Sequence, residues 1–595
     1  MIEDRIYNER IAHYQKKIHA YKNKSNGIGY IRLLISIGVL SGIYLYYSTH
    51  SIFSIILLGC STVAFFLLIR IHRKVKKELA IELALKQINE EELAYLQGSV
   101  KVFANGSEYI DKQHPYSYDL DLFGEHSLFQ HTNRTATKIG QDQLASMFNK
   151  PVNDDILINQ EAIQELSNEI DWRQKYTALG KINPDQQNSV DQLSNWISQD
   201  SFFNRSKKYL HLAYILPGIW LICAGLYLFN DNPTIEYAVS ISFLINLIFF
   251  GTLLKHIKKE YELLNNSSKI LATYSDLIEC IEKQEFKSNK IKILQNNLKT
   301  GSEPASTSLK KLSSILFKLD SMHYGLPSII VNGTLLFHIH CIYSLNNWKR
   351  KHGSQLQLWL KSISEIDALN SLANFSFNRP DFIFPLLSKK DQFVTTGLGH
   401  PLISEEHRIC NSISFSEQRF TVLTGSNMSG KSTFLRTMGM NLILSKMGAP
   451  VCAKEFKFYP YEVFISMRID DSLHNNTSFF FAELHRLKNL IDRLSIQPKT
   501  FILLDEILRG TNSNDKYAGT IGLIKQLIQK NAIGIIATHD LSVTELSAAY
   551  PSYLNNKCFE VEIKNEELYF DYKLKDGVCE KMSASFLMKK LHIID

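Results

Sequence analysis

Three short segments late in the chain carry residue types and spacings suited to phosphate chemistry. The first is Gly425-Ser426-Asn427-Met428-Ser429-Gly430-Lys431-Ser432-Thr433, a G-x-x-x-x-G-K-S loop. Glycines at its ends let the backbone wrap phosphate oxygens with N–H groups, Lys431 reaches the outer phosphates, and the Ser432 hydroxyl suits Mg²⁺. The second is Asp505-Glu506, two carboxylates delivered together by an apolar run; Asp505 would hold the metal and Glu506 would polarise an attacking water as general base. The third is His539 within Thr538-His539-Asp540, placed to sense a terminal phosphate and the attacking water. Taken alone, a histidine after a strand is structural about as often as it is functional.

The flanking elements decide whether these residues meet. Phe420–Thr424, Phe501–Leu504 and Ala532–Ala537 read as buried strands, and Ser432–Met447 reads as a proline-free helix. From about Phe382 onward, short β-rich runs alternate with helices, which is the pattern of a parallel α/β sheet. Such sheets bind ligands at the carboxyl ends of their strands, where all three segments would lie.

At 595 residues the chain is multidomain. Its hydrophobic fraction of 45% is ordinary, so anything unusual lies in local distribution. The formal charge of +7 is too mild to single out a nucleic acid or a membrane as partner. Eight cysteines without a C-x-x-C pair support neither a zinc site nor a disulfide framework.

Four apolar runs break the average: Ile31–Tyr47 with Ile52–Ile69, and Tyr209–Phe229 with Tyr237–Leu254, among which Arg32 is the single charged side chain. Each is about one bilayer thick. The short links Ser48–Ser51 and Asn230–Glu236 make each pair a hairpin. Positive residues flank both hairpins at their open ends: Arg5 to Lys24 and Arg70 to Lys77 around the first, Arg205 to Lys208 and Lys255 to Lys259 around the second. The links carry none, so the rest of the chain is expected on the cytoplasmic side. The competing reading is four buried helices of a large soluble core. Between the hairpins and from Glu260 to Asn374 the pattern is mainly helical, with Leu263, Leu264, Ile270, Leu271, Leu277, Ile278 and Ile281 on one stripe and a connection at Gly301–Thr307.

The loop at Gly425–Thr433, the segment Leu504–Thr511 and Ala537–Asp540 resemble, in order, the Walker A, Walker B and histidine-switch sequences of the MutS family of DNA mismatch-recognition ATPases. Gly399–Leu402 is similar to the start of that family's ATPase domain, and Ser127–Gly140 to the start of its helical core or lever. Ser478–Leu484 resembles the family's signature segment, which implies that Ser478 contacts the γ-phosphate across a dimer. The resemblance spans about Asp119–Met147 and nearly all of 380–595. It implies ATP and Mg²⁺ as cofactors and a homodimer with composite ATP sites. The family's mismatch-reading domain has no counterpart in the first hundred residues, and no nuclease appendage is expected past Asp595. The stacking aromatic that the family places on adenine is not evident near Glu406–Asn411, and Arg408 is expected to stack in its place.

The expected architecture is therefore a basic arm and transmembrane hairpin over 1–85, a helical core over 86–204, a second transmembrane hairpin over 205–259, a helical continuation over 260–381 and an α/β P-loop, ABC-like ATPase domain over 382–595. The expected activity is ATP hydrolysis driving or gating a dimeric helical clamp at the inner, cytoplasmic membrane, multi-pass in the lipid bilayer, with the ATPase domain in the cytoplasm. Its cargo is left open between DNA, mismatched or branched, a protein, and the hairpins themselves. The alternative is an ABC-type transport or membrane-remodelling ATPase without DNA binding, although an ABC-type Leu-Ser-Gly-Gly-Gln signature is absent.

Overall fold

The computed structural model describes residues 2–49, 51–183, 189–204, 208–229, 232–264, 267–299, 301, 303–320, 325–468, 479–564, 567–579 and 593–594. The N-terminal part is helical. Helix α1 (Ile2–Thr49) turns back through the Ser51 cap into α2 (Ile52–Leu96), where the Ser51 hydroxyl accepts from Phe53 N. Two glycines one helical turn apart let these helices close up: a Cβ on Gly42 would lie 3.1 Å from Leu58 N, and one on Gly38 3.1 Å from Ser61 Oγ. The basic arm and the first apolar run are thus one continuous helix, and the second apolar run continues without a break into the helical core.

Short helices α3 (Leu128–Thr132), α4 (Lys138–Asn149), α5 (Ile156–Asn168), α6 (Ile170–Lys181) and α7 (Ser189–Ser198) follow. The second hairpin is α8 (Lys208–Phe229) and α9 (Pro233–Glu262), the latter opened by Pro233 behind the Asn232 cap. Then come α10 (Ser267–Lys283), α11 (Asn289–Leu298), α12 (Ala305–Asp320), α13 (Gly325–Leu335) and the long α14 (Phe337–Phe377). By length and composition α1, α2, α8 and α9 are each able to cross a membrane.

One apolar element escaped the sequence reading. Helix α13 is bent by 80° from α14, and the bent pair also passes the length and composition test for a span. It leans on the second hairpin: Asn246 Nδ2 donates to Gly333 O at 2.7 Å, while Leu326, Ile329 and Ile330 remain exposed.

Helix α14 threads the helical part. Near its C-terminal end, Asp367 accepts from Ala136 N (3.0 Å), Thr137 N (2.9 Å) and Thr137 Oγ1 (2.7 Å), clamping the start of α4.

The C-terminal α/β part holds two mixed sheets. The smaller joins β1 (Leu386–Leu387), β2 (Phe393–Leu398), β3 (Asn411–Ser414) and β5 (Glu455–Phe458) in the order β1-β5-β2-β3. The larger joins β4 (Phe420–Gly425), β6 (Glu462–Ser466), β7 (Thr500–Asp505), β8 (Ile533–Ala537), β9 (Leu554–Lys564) and β10 (Glu567–Asp576) in the order β10-β9-β4-β8-β7-β6. Only β10 runs antiparallel to its neighbour there. Helices α15 (Lys431–Lys446), α16 (Phe479–Ile496), α17 (Ser513–Gln529) and the short α18 (Leu546–Ala549) complete the part.

The two parts share one apolar core that runs from Leu128 and Trp359 to Phe501 and Ile535. They are also joined at the sheet edge. Pro115 O accepts from Ile465 N of β6 (2.9 Å), and buried Asp119 accepts from Met467 N (2.7 Å), Arg468 N (2.8 Å) and Arg486 Nη2 of α16 (2.5 Å).

Candidate functional site

Strand register brings the chemistry together. Asp505 pairs with Ala537, and Leu423 with the same residue, so Gly425, Asp505 and His539 emerge side by side at the carboxyl edge of three adjacent strands. Beta-branched and aliphatic residues fully buried on both faces make these central strands, as parallel sheets require.

After β4 the chain folds back on itself. Gly425 (φ +154°) has no room for a Cβ, which would lie 2.8 Å from Phe559 O. Gly430 (φ +101°) starts α15, and Met428 (φ 67°) is exposed at the loop's apex. Lys431 Nζ donates back to Gly425 O (2.8 Å) and Ser426 O (3.0 Å). Burial lowers the Lys431 ammonium from its usual range, opposed by the nearby Glu506 and Asp505. The hydroxyls of Ser426 and Ser429 are buried without a partner. Asn427 and Thr433 line the adjoining cleft.

Ser432 Oγ donates to Asp505 Oδ2 at 2.5 Å, joining two segments 73 residues apart. The other carboxylate oxygen, Oδ1, is buried and unpartnered, and burial pushes the Asp505 carboxyl up. One hydroxyl, one carboxylate and an open oxygen fit a Mg²⁺ that keeps most of its ligands as water and phosphate.

Glu506 sits at φ 46° and is tied by Glu506 N→Ala537 O (2.9 Å). Its side chain meets His539 Nε2 and Arg509 Nη2 (3.3 Å). The hydrogen bond from His539 is the main cause that holds its carboxyl down, at about 2. Glu506 and His539 are thus directly paired, and Glu506 is a committed carboxylate.

Glu483, in the first turns of α16, belongs to the signature-like segment, but the sequence assigns it no role. Its buried carboxylate accepts from Leu508 N (2.5 Å) and Arg509 N (3.2 Å), clamping the loop that carries Glu506. Ser478 lies outside the described residues.

A cleft of about 430 Å³ opens beside the loop. One wall is Asn427–Phe434 with Glu506; the other includes His400, His407, Ile409, Phe559 and Tyr572. Burial pushes the His400 imidazole down to about 4, with Arg436 and Arg408 adding to the effect, so it is neutral. Arg408 is not in this wall, contrary to the stacking role expected of it. Its guanidinium turns inward to Asp381 Oδ2 (2.8 Å) and Ile403 O (3.0 Å) and lies over Phe382. Among the aromatic side chains that line the cleft, with Phe434 and Phe559, is Tyr572, from a bulge in β10, and no local sequence signal marks it.

With this geometry in place, comparison with known proteins gives a class. Residues 421–590 match the family model "MutS domain V", so the C-terminal α/β part is a domain of that kind. The DNA mismatch repair protein MutS of Thermotoga neapolitana is 29% identical over 240 residues, covering 39% of this chain and 29% of that protein. MutS protein homolog 4 of Homo sapiens is 30% identical over 259 residues, 41% of this chain and 25% of that protein. The likeness to the MutS family is thus carried by this domain. The match spans between a quarter and three-tenths of these relatives' length.

Proposed function

We propose that the protein is a membrane-anchored ATPase of the MutS family in which a P-loop site drives a helical lever. The Ser432–Asp505 bond carries this reading, because it joins the lysine-bearing loop to the acidic strand end as a Mg²⁺–ATP site needs. In the proposed site the Gly425–Thr433 backbone and Lys431 hold the phosphates, and Ser432 and Asp505 hold the metal. Bound Mg²⁺ supplies charge neutralisation of the phosphates. Glu506 orients and deprotonates the attacking water, with His539 fixing its carboxylate. His407, Ile409 and Tyr572 offer the base an aromatic and apolar wall. Ser478 completes the site of a second copy, which makes the working unit a homodimer.

The two hairpins are proposed as inner-membrane anchors, with the ATPase domain in the cytoplasm. In support, Leu34, Leu40, Ile52, Phe53, Phe66, Ile222 and Ile248 are all exposed, an apolar surface that water does not favour, and the basic flanks sit at the open ends. Retention in the pellet after carbonate washing is expected; release of intact protein would overturn the anchor.

The relatives' names speak of DNA mismatch repair, and DNA, mismatched or branched, is the first cargo proposed here. Membrane remodelling without DNA is the second reading, favoured by the direct run from α14 into apolar α13 and onto α9. ATP turnover of the detergent-purified protein, alone and with plain, mismatched and branched duplexes, separates them. Binding or stimulation by one duplex supports the first; no binding and no change in turnover leaves the second.

A further inference from the structure

A second cavity, of about 170 Å³, shares no lining residue with the first cleft and lies where α2, α6 and α14 converge with the loops at 102–104 and 133–135. Its charges do not balance. Lys181 is paired with Glu91 (2.5 Å), and Arg134 Nε with Glu92 Oε1 (2.6 Å). Glu92 is then saturated, since it also accepts from Asn374 Nδ2 (2.9 Å) and Asn378 Nδ2 (2.8 Å).

That leaves Arg173, which lines the cavity at 2% exposure. Its Nη1 donates to Asn374 Oδ1 at 2.8 Å, while Nε and Nη2 have no partner. Those two nitrogens form one edge of the guanidinium, with parallel N–H groups spaced to grip a carboxylate or phosphate. The residues that might otherwise satisfy them are engaged: the Tyr7 hydroxyl donates to Asn378 Oδ1 (2.7 Å), and Asp171 pairs with Arg10 (2.7 Å). The guanidinium also lies over the Phe377 ring, 5.2 Å from its centroid, but no anion meets its free edge, and a buried guanidinium without one is costly. A second orphan lines the same cavity, the Asn370 carbonyl oxygen, whose amide nitrogen is used by Thr177 (3.1 Å).

We infer that this cavity binds a small oxyanion, a carboxylate or phosphate group, gripped by the free edge of Arg173, with a hydroxyl of the ligand donating to Asn370 Oδ1. The site touches the first hairpin's inner helix, the core helix α6 and the lever α14 at once. A ligand there stiffens the joint between them.

The test uses the full-length protein in detergent, carrying Lys431→Ala so that the glycine-rich loop does not compete for phosphate. Sodium phosphate and sodium glycolate, each carrying a hydroxyl beside its anionic oxygens, are titrated separately at constant ionic strength, by ³¹P line broadening and by calorimetry respectively. Saturable binding is expected, with the tighter arm identifying the phosphate or the carboxylate class. Arg173→Lys, which keeps the charge and removes the fork, should weaken it about tenfold or more. Val102 sits exposed on the rim, so Val102→Asp should weaken binding and Val102→Lys strengthen it without disturbing the core. No saturable binding in either arm overturns the inference, as does binding indifferent to Arg173→Lys and to both Val102 variants. If Arg173→Lys does not fold, the opposed Val102 pair decides.

Discussion

Glu483 holds Leu508: the carboxylate of one accepts the backbone N–H of the other at 2.5 Å, so the helix that carries most of the signature-like segment grips the loop leaving Glu506. Any shift of α16 is therefore passed to the proposed catalytic carboxylate within a few bonds. Glu483→Ala should leave nucleotide binding nearly intact and lower ATP turnover by about tenfold to a hundredfold, as misplacement of a catalytic group does. Fluorescent-nucleotide affinity and steady-state turnover on the same preparation separate the two. Unchanged turnover would show that the clamp is dispensable.

Glu506→Gln removes the proposed base and keeps the shape. Turnover should fall by roughly 10²–10⁴-fold while ATP is still bound. Lys431→Ala should instead abolish binding. Normal turnover in the glutamine variant removes Glu506 from the mechanism.

The Glu506–His539 pair also has a pH signature. The Glu506 carboxyl is held at about 2, below its ordinary 4.5, so the stability it lends is fully present above about 4.5 and lost as pH falls toward 2. The gap in melting temperature between the wild type and His539→Ala should therefore close across that acid window. A gap that persists at pH 2 contradicts the pairing.

Breaking the Glu92–Arg134 pair leaves two buried guanidiniums without a carboxylate. Glu92→Gln should destabilise the helical part by about 3–5 kcal/mol, read by denaturant unfolding in detergent. A loss under about 1 kcal/mol would mean that the site is wetter than its burial indicates.

Gly140 leaves no space for a methyl group, since a Cβ there would lie 2.1 Å from Asp367 Oδ2. Gly140→Ala should displace Asp367 from Thr137 and cost about 1–3 kcal/mol as overpacking. Nucleotide affinity should be unchanged, because neither residue lines the cleft.

The glycine-rich loop was readable as one element because its parts are contiguous, and the shared edge of Asp505 and His539 because parallel strands must release their ends along one side. Residues supplied by distant segments were not. Tyr572 reaches the cleft from a hairpin more than a hundred residues after the loop, and Arg408 is drawn away by Asp381, whose approach depends on tertiary packing. Helix α13 was passed over because its 11 residues fall well short of a bilayer's thickness and include Ser328, Asn332 and Gly333. The polar groups of Asn332 turn inward to Ser328 and His338, which only the folded chain reveals. The docking of Asp119 on β6 was equally hidden, since nothing local distinguishes it from a solvated acid.

Helix α14 is unbroken for 41 residues, about 60 Å at 1.5 Å per residue. A rod of that length converts angle into distance: the far end lies 30 residues, about 45 Å, from the Asp367 clamp, so pivoting there by about 5° moves it by roughly 4 Å. The far end is where α13 meets the second hairpin. Under the proposed function, a small rearrangement at the strand edge would thus arrive at the apolar helices as a stroke comparable to the width of a side chain.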